Sequence, residues 1–129
     1  MTDFSNALSV SSSALKAQSQ RLRHVAENIA NSDTPGYRRK VVSFDMLTQG
    51  REAGGVEIGN VRLSREDLQE IYDPNHPLSD PSGKYLGSNV SLIIEMADAR
   101  EAQRSYEANL KMFEQAREMS SSLSNLLRR

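Results

Sequence analysis

The chain has 129 residues and a formal net charge of -1, from 16 Lys and Arg against 17 Asp and Glu. That balance gives no general pull toward nucleic acid or anionic lipid. Without cysteine there is no disulfide framework and no thiolate metal site.

Aromatics make up 5% and hydrophobics 37% of the chain, and tryptophan is absent. A globule of this size normally buries roughly 65–70% of its unfolded surface, so part of the core is expected to come from other chains. The first residues, MTDFSNALSVSSSALKAQ, carry neither a basic n-region nor an apolar h-region. No stretch approaches the ~18 apolar residues of a membrane span. The expectation is a protein that is not membrane-embedded and that leaves the cytoplasm, if it does, without a cleaved signal peptide.

Residues 3–30 read as a long helix. Leu8, Leu15, Leu22 and Ile29 recur every seventh residue, Phe4 and Val25 take companion positions, and Ser11 and Gln18 interrupt the seam. A sustained repeat of this kind makes a narrow apolar stripe that packs on another helix. Thr2 or Asp3 is expected to cap the start, and the helix would be ~40 Å long.

Residues 28–37, NIANSDTPGY, end it. Asn28 and Asn31 are expected to terminate the helix through the left-handed conformation that Asn tolerates. Thr34-Pro35-Gly36-Tyr37 fits a type II turn: proline presets φ at the second position and glycine takes positive φ at the third. On turn chemistry alone this is an ordinary helix-to-strand turn.

All prolines and glycines fall between Pro35 and Gly87, so the middle differs in kind. Tyr37 to Met46 alternates through Val42, Phe44 and Met46 and reads as a strand. Val56, Ile58, Val61 and Leu63 read as a second strand with a kink or bulge near Gly59. Residues 50–55 form a flexible connection, and 68–72 is short and ambiguous. Residues 72–83, YDPNHPLSDPSG, are turn-rich and extended because three prolines preclude regular structure. Residues 45–89 carry four basic against eight acidic side chains. Arg38, Arg39 and Lys40 form a compact basic patch just before them. That patch is either solvated within one copy or set against the acidic middle of a neighbour.

Residues 90–127 read as a second long helix, with Ile93, Met96, Ala99, Ala102, Tyr106, Asn109, Leu110, Phe113, Ala116, Leu123 and Leu127 along one side. Nothing breaks it, and it would reach ~55 Å. The fold class is mainly α with a β-rich middle: terminal helices paired as a coiled-coil-like hairpin, with an irregular β or extended insertion. Residues 1–33 and 90–129 form a discontinuous helical domain, and 34–89 the middle segment. Two narrow stripes leave surface unfilled after pairing. Leu8, Leu15, Leu22, Ile29, Arg38, Arg39, Lys40, Tyr106, Asn109, Phe113, Leu123 and Leu127 are the expected subunit interface, with Phe113 its strongest anchor.

Catalytic and ligand motifs are not in view. His24 and His76 are the only histidines and are not spaced as a metal pair. Asp73 and Asn75 start like a calcium loop, but Pro77 and Leu78 stand where a ligand and an obligatory glycine belong. The serines at 11–13 and 120–122 lack a nucleophile turn, and no glycine loop is arranged to cradle phosphate. The expectation is no enzyme, no cofactor or metal, no small-molecule substrate and no nucleic acid.

Residues 28–37, at the end of an N-terminal helix, resemble the signature of the axial proteins of the bacterial flagellum, the rod and hook family. Residues 72–80 with Gly83, Asn89 and Val90 are similar to the proximal rod members. So are Glu95-Met96, residues 104–109 (RSYEAN) and Met119. Gly87-Ser88 departs from the proline expected before Asn89. The resemblance implies terminal helices stacked with neighbours around a hollow axis, with the β-rich middle outside. It implies a structural rod subunit of the basal body, in the periplasm, that transmits torque and leaves a channel for exported subunits. Its implied partners are copies of itself and other rod proteins, with membrane-ring and export-apparatus components nearby, reached by the flagellum-specific type III route. The heptads alone also permit a soluble helical-hairpin binding module, such as a cytoplasmic adaptor or export chaperone, and the signature also permits another rod subunit. A simple hairpin needs only a short connection, which the long middle is not.

Overall fold

A computed structural model describes residues 2–50 and 53–128. Two helices dominate, α1 (Thr2–Ala30) and α2 (Leu92–Leu127). Both lie in the stretches free of proline and glycine, where nothing interrupts the backbone hydrogen-bond ladder. Asp3 does not cap α1. The helix already includes Thr2, so Asp3 sits in the first turn, where a carboxylate complements the helix dipole; the cap position lies outside the described residues. Ser91 precedes α2 with extended backbone and no side-chain capping bond.

The helices lie side by side and run in opposite directions. Asn28 and Arg21 meet Glu95 and Asp98 near one end, and Phe4 shares a groove with Met119, Leu123 and Leu126 near the other. On α2 the inward positions repeat every three or four residues. Glu95 and Ala102 are buried, and Ala99, Tyr106, Asn109, Phe113, Ala116 and Leu123 are half-buried. The expected stripe is corrected at four places: Ile93, Met96, Leu110 and Leu127 point outward. At 3.6 residues per turn, positions 93, 96 and 110 fall off the line through 95, 102 and 109. Ile29 is likewise exposed at the end of the α1 stripe.

Six short strands form three antiparallel pairs. These are β1 (Lys40–Val41), β2 (Phe44–Met46), β3 (Val56–Ile58), β4 (Arg62–Leu63), β5 (Glu70–Tyr72) and β6 (Lys84–Leu86), paired β1–β4, β2–β3 and β5–β6. The expected strand over 37–46 is therefore two strands. The expected kink near Gly59 is the matching break between β3 and β4, with the Gly59 N–H donating to the Ser43 carbonyl across it. The face through Phe44 and Met46 is exposed. Residues 70–72 are a strand, and their partner β6 lies in a stretch where the sequence pattern gave no strand. The connection over 50–55 includes residues 51 and 52, which lie outside the described ones.

α1 buries a second face. Ser13 and Ala17 are buried and lie with Gln20 against Leu47, Val56 and Ile58. The Val56 N–H donates to Ser13 Oγ at 3.2 Å, and Ser13 Oγ donates to the Val10 carbonyl at 2.7 Å. Small side chains let the strand come close enough to bond the helix. Among the described residues, the buried apolar ones are Ala17, Val25, Val90 and Ala102.

Candidate functional site

The densest structure lies where α1 ends, the chain turns, and α2 begins. The turn is of the expected type: the Tyr37 N–H donates to the Thr34 carbonyl at 3.1 Å, and Gly36 has φ 74°. Asn31 and Asn28 depart from expectation, because no non-glycine residue has positive φ among those described. Asn31 instead bonds the helix end: Nδ2 donates to the Glu27 carbonyl at 2.9 Å, and Oδ1 accepts from Thr34 Oγ1 at 3.1 Å.

Asn28 is a hub. It is 1% exposed. Its Oδ1 accepts from the Lys40 N–H at 2.8 Å and the Tyr37 hydroxyl at 2.9 Å. Its Nδ2 faces the Lys40 carbonyl at 3.1 Å and Glu95 Oε2 at 3.3 Å. The carboxamide thus copies a strand partner for Lys40 and fixes how the chain leaves the helix. Burial of the Tyr37 phenol raises its pKa, which keeps it a donor.

Glu95 is fully buried, and its other oxygen accepts from Arg39 Nε at 2.6 Å. The Arg39 N–H donates to Asn89 Oδ1 at 2.7 Å. Asn89 Nδ2 and Arg38 Nη1 both donate to the carbonyls of Ser64 and Glu66. Gly36 donates to the Gly87 carbonyl, Asn89 to that of Tyr37, and Ser88 Oγ to that of Ser32. Ser88, at the departure from the expected proline, thereby ties α2's approach to the end of α1. One polar clasp joins α1, the turn, β1, residues 64–66, residues 87–89 and α2.

The clasp corrects the reading of the basic triplet. Arg38 holds backbone carbonyls, Arg39 holds Glu95, and Lys40 pairs with Glu27. All three are half-buried and engaged within the chain, so they are not a solvated patch. The Lys40 ammonium lowers the Glu27 pKa, and the Glu27 carboxylate raises that of Lys40. Of the other expected interface residues, Leu8, Leu15, Leu22, Tyr106, Asn109, Phe113 and Leu123 are half-buried along the helices, whereas Ile29 and Leu127 are exposed. Glu95 and Asn89 were not singled out as site residues. Glu95 falls on the seven-residue spacing of 102, 109, 116 and 123. A charge on a seam position implies a buried partner, and that was the available signal.

Among the described residues no cluster of three or more His, Asp or Glu side chains is arranged to hold a metal. A cleft of about 530 Å³ runs beside the clasp, lined by Arg21, His24, Phe44, Ile94, Asp98 and others. Its charges are spoken for, since Arg21 pairs with Asp98 and lies over the Phe44 ring at 5.7 Å. The arrangement locks segments together and contains no placed nucleophile and base.

Two family models match the chain: a flagella basal body rod protein model over residues 8–38, and a flagellar basal body rod FlgEFG protein C-terminal model over residues 82–126. They frame the two halves of the clasp. The chain is a structural subunit of the flagellar basal-body rod. Among similar proteins, the flagellar basal-body rod protein FlgC of Agrobacterium fabrum is 43% identical, covering 99% of this chain and 98% of its own length. FlgC of Aquifex aeolicus is 38% identical, covering 92% and 93%. FlgC of Salmonella typhimurium is 35% identical, covering 88% and 90%. The chain belongs to the FlgC family of rod proteins.

Proposed function

We propose that this chain builds the proximal part of the rod, stacking with copies of itself and with other rod proteins around a hollow axis. In this reading α1 and α2 act as a coiled-coil-like hairpin forming an inner domain, residues 1–33 and 90–129, with residues 34–89 outside. The subunit transmits torque in the periplasm, leaves a channel for exported subunits, and performs no catalysis. Membrane-ring and export-apparatus components are its surroundings.

One observation carries the reading. The helices are fastened to each other by polar bonds at one end, while Leu92, Ile93, Ile94, Met96, Met112, Met119, Leu126 and Leu127 of α2 stay exposed. Exposed apolar side chains at this density along one helix mark a surface that other chains cover. None of the described helices is long and apolar enough to cross a membrane.

Phe113 and Tyr106 are proposed to anchor the seam where neighbouring helices join it. Phe113→Asp puts a carboxylate on a half-buried seam position, at a cost of several kcal/mol wherever assembly removes water. The mutant is expected to be exported and to keep its helical circular dichroism, but to yield no completed rod. Electron microscopy of detergent-extracted basal bodies tests it; intact hook–basal bodies carrying Phe113→Asp would refute the interface assignment.

A further inference from the structure

With the basic triplet engaged inside the chain, the one cation paired with the acidic stretch 66–80 among the described residues is Lys84. Residues 66–80 contain Glu66, Asp67, Glu70, Asp73 and Asp80 and no Lys or Arg. Glu66, Asp67 and Glu70 are exposed; Glu70 has only Lys84 at 3.9 Å, also exposed. Glu70, Asp73 and Asp80 belong to an arm, the β5–β6 pair with its connecting loop, and Glu66 and Asp67 precede its base; β5 and β6 make no extensive contact with either helix.

The arm is stiff. Asp73 donates its N–H to the Gly83 carbonyl, Asp80 to that of Lys84, and His76 stacks on Tyr85 with ring centres 3.9 Å apart. Gly83, at φ 84°, lies so close to Tyr72 and Pro74 that a Cβ would meet them at 2.9 and 3.1 Å. On this rigid frame Leu78 is 64% and Tyr72 69% exposed. An arm ordered by its own bonds that displays apolar side chains among carboxylates is preorganised for docking.

A complementary surface lies on the outer side of α2. Ile93, Met96, Ala97, Arg100 and Arg104 line an open groove of about 490 Å³, together with Glu101. Ile93 is 81% exposed. Arg100 and Arg104 are exposed and form no ion pair among the described residues, whereas Glu101 is drawn toward Arg21. Two like charges four residues apart on a helix repel each other, which an incoming anionic surface relieves. Arg62 and Arg65 are also exposed, and Glu66 and Asp67 follow them directly in the sequence.

We propose that the β5–β6 arm of one copy, with Glu66 and Asp67 at its base, docks on the Ile93–Arg104 face of α2 of a second copy, carboxylates on the two arginines and Leu78 and Tyr72 on Ile93 and Met96. Both halves of the contact are carried by one chain and differ from each other. The contact is therefore head-to-tail and extends into a ring or helix rather than closing as a two-fold dimer. The inference rests on the reading of this chain as a self-stacking rod subunit and names the surfaces.

The test is charge reversal in a strain whose only copy is the variant. Arg100→Glu with Arg104→Glu is expected to lower hook–basal bodies per cell by at least about tenfold, since like charges across an interface cost several kcal/mol. Glu66→Lys with Asp67→Lys and Glu70→Lys should do the same, with secretion and circular dichroism unchanged. Joining both sets in one chain should restore assembly. Full assembly with either set alone, or no rescue by the combination, overturns the contact. A second readout uses the absence of cysteine. Co-expressed Leu78→Cys and Ile93→Cys copies should form a disulfide-linked pair in purified basal bodies, and a link only to another protein would overturn the second-copy assignment. The parent reading fails separately, if the unmodified chain is missing from those basal bodies.

Discussion

The two ends of the α1–α2 pair are held by opposite means. At the turn end, Asn28, Glu95, Arg39 and Asn89 place directional bonds on segments far apart in sequence. At the far end, Phe4, Met119, Leu123 and Leu126 line an open apolar groove, and no polar lock is present among the described residues. Directional bonds specify one geometry without a partner; apolar contact gains strength from whatever area covers it. A subunit that must keep its shape before assembly and yield a surface during it is served by this division.

The largest expected effect is at the buried ion pair. Glu95→Ala leaves Arg39 without its carboxylate and should cost ~3–5 kcal/mol, read as a fall in the urea midpoint of the purified chain. Arg39→Met with Glu95→Leu removes both charges and should recover most of it. A Glu95→Ala variant as stable as the parent would mean the clasp is not what fixes the turn end.

Asn28→Ala comes next. It removes the acceptor of both Tyr37 and Lys40 and should cost ~2–3 kcal/mol, the upper part of the ~1–3 kcal/mol range for a buried group left unsatisfied. Gly36→Val is smaller. Nothing lies within 4 Å of an added Cβ there, so the cost is backbone strain at positive φ, ~1–2 kcal/mol. It should impair rod assembly while secretion continues; normal swimming would show the turn tolerates another geometry.

At the far end, Met119→Ser with Leu126→Ser should change monomer stability by less than ~0.5 kcal/mol yet abolish completed basal bodies. Destabilised monomers would place those side chains in the intrachain core instead. The smallest effect is electrostatic. The Glu27 carboxyl is held below its ordinary pKa by Lys40. Its contribution is complete above the ordinary carboxylate range and is lost as pH falls through the lowered value. Glu27→Gln should lower stability slightly near neutrality and converge with the parent at low pH, which flattens the acid limb of the stability–pH curve.

The helices were legible because Leu8, Leu15 and Leu22 repeat at a helical period with no glycine or proline nearby. The turn was legible because Thr34-Pro35-Gly36-Tyr37 encodes its dihedrals locally. The clasp was not. Asn28 bonds 12 and 67 residues away, and Arg39 bonds 56 residues away. A local reading therefore took Asn28 as a helix terminator and the basic triplet as a free patch. β6 escaped because Lys84-Tyr85-Leu86 is too short to show a period, and Ile93 and Met96 were placed inward because the seam runs through the charged Glu95 beside them.

Hydrogen exchange on the dilute, purified chain tests the contrast between the two ends most directly. Strong protection of amides in residues 23–30 and 95–102, with weak protection in 5–10 and 115–126, is the expected result, because the far end of the helix pair is not closed without partners. Uniform strong protection along both helices would contradict it.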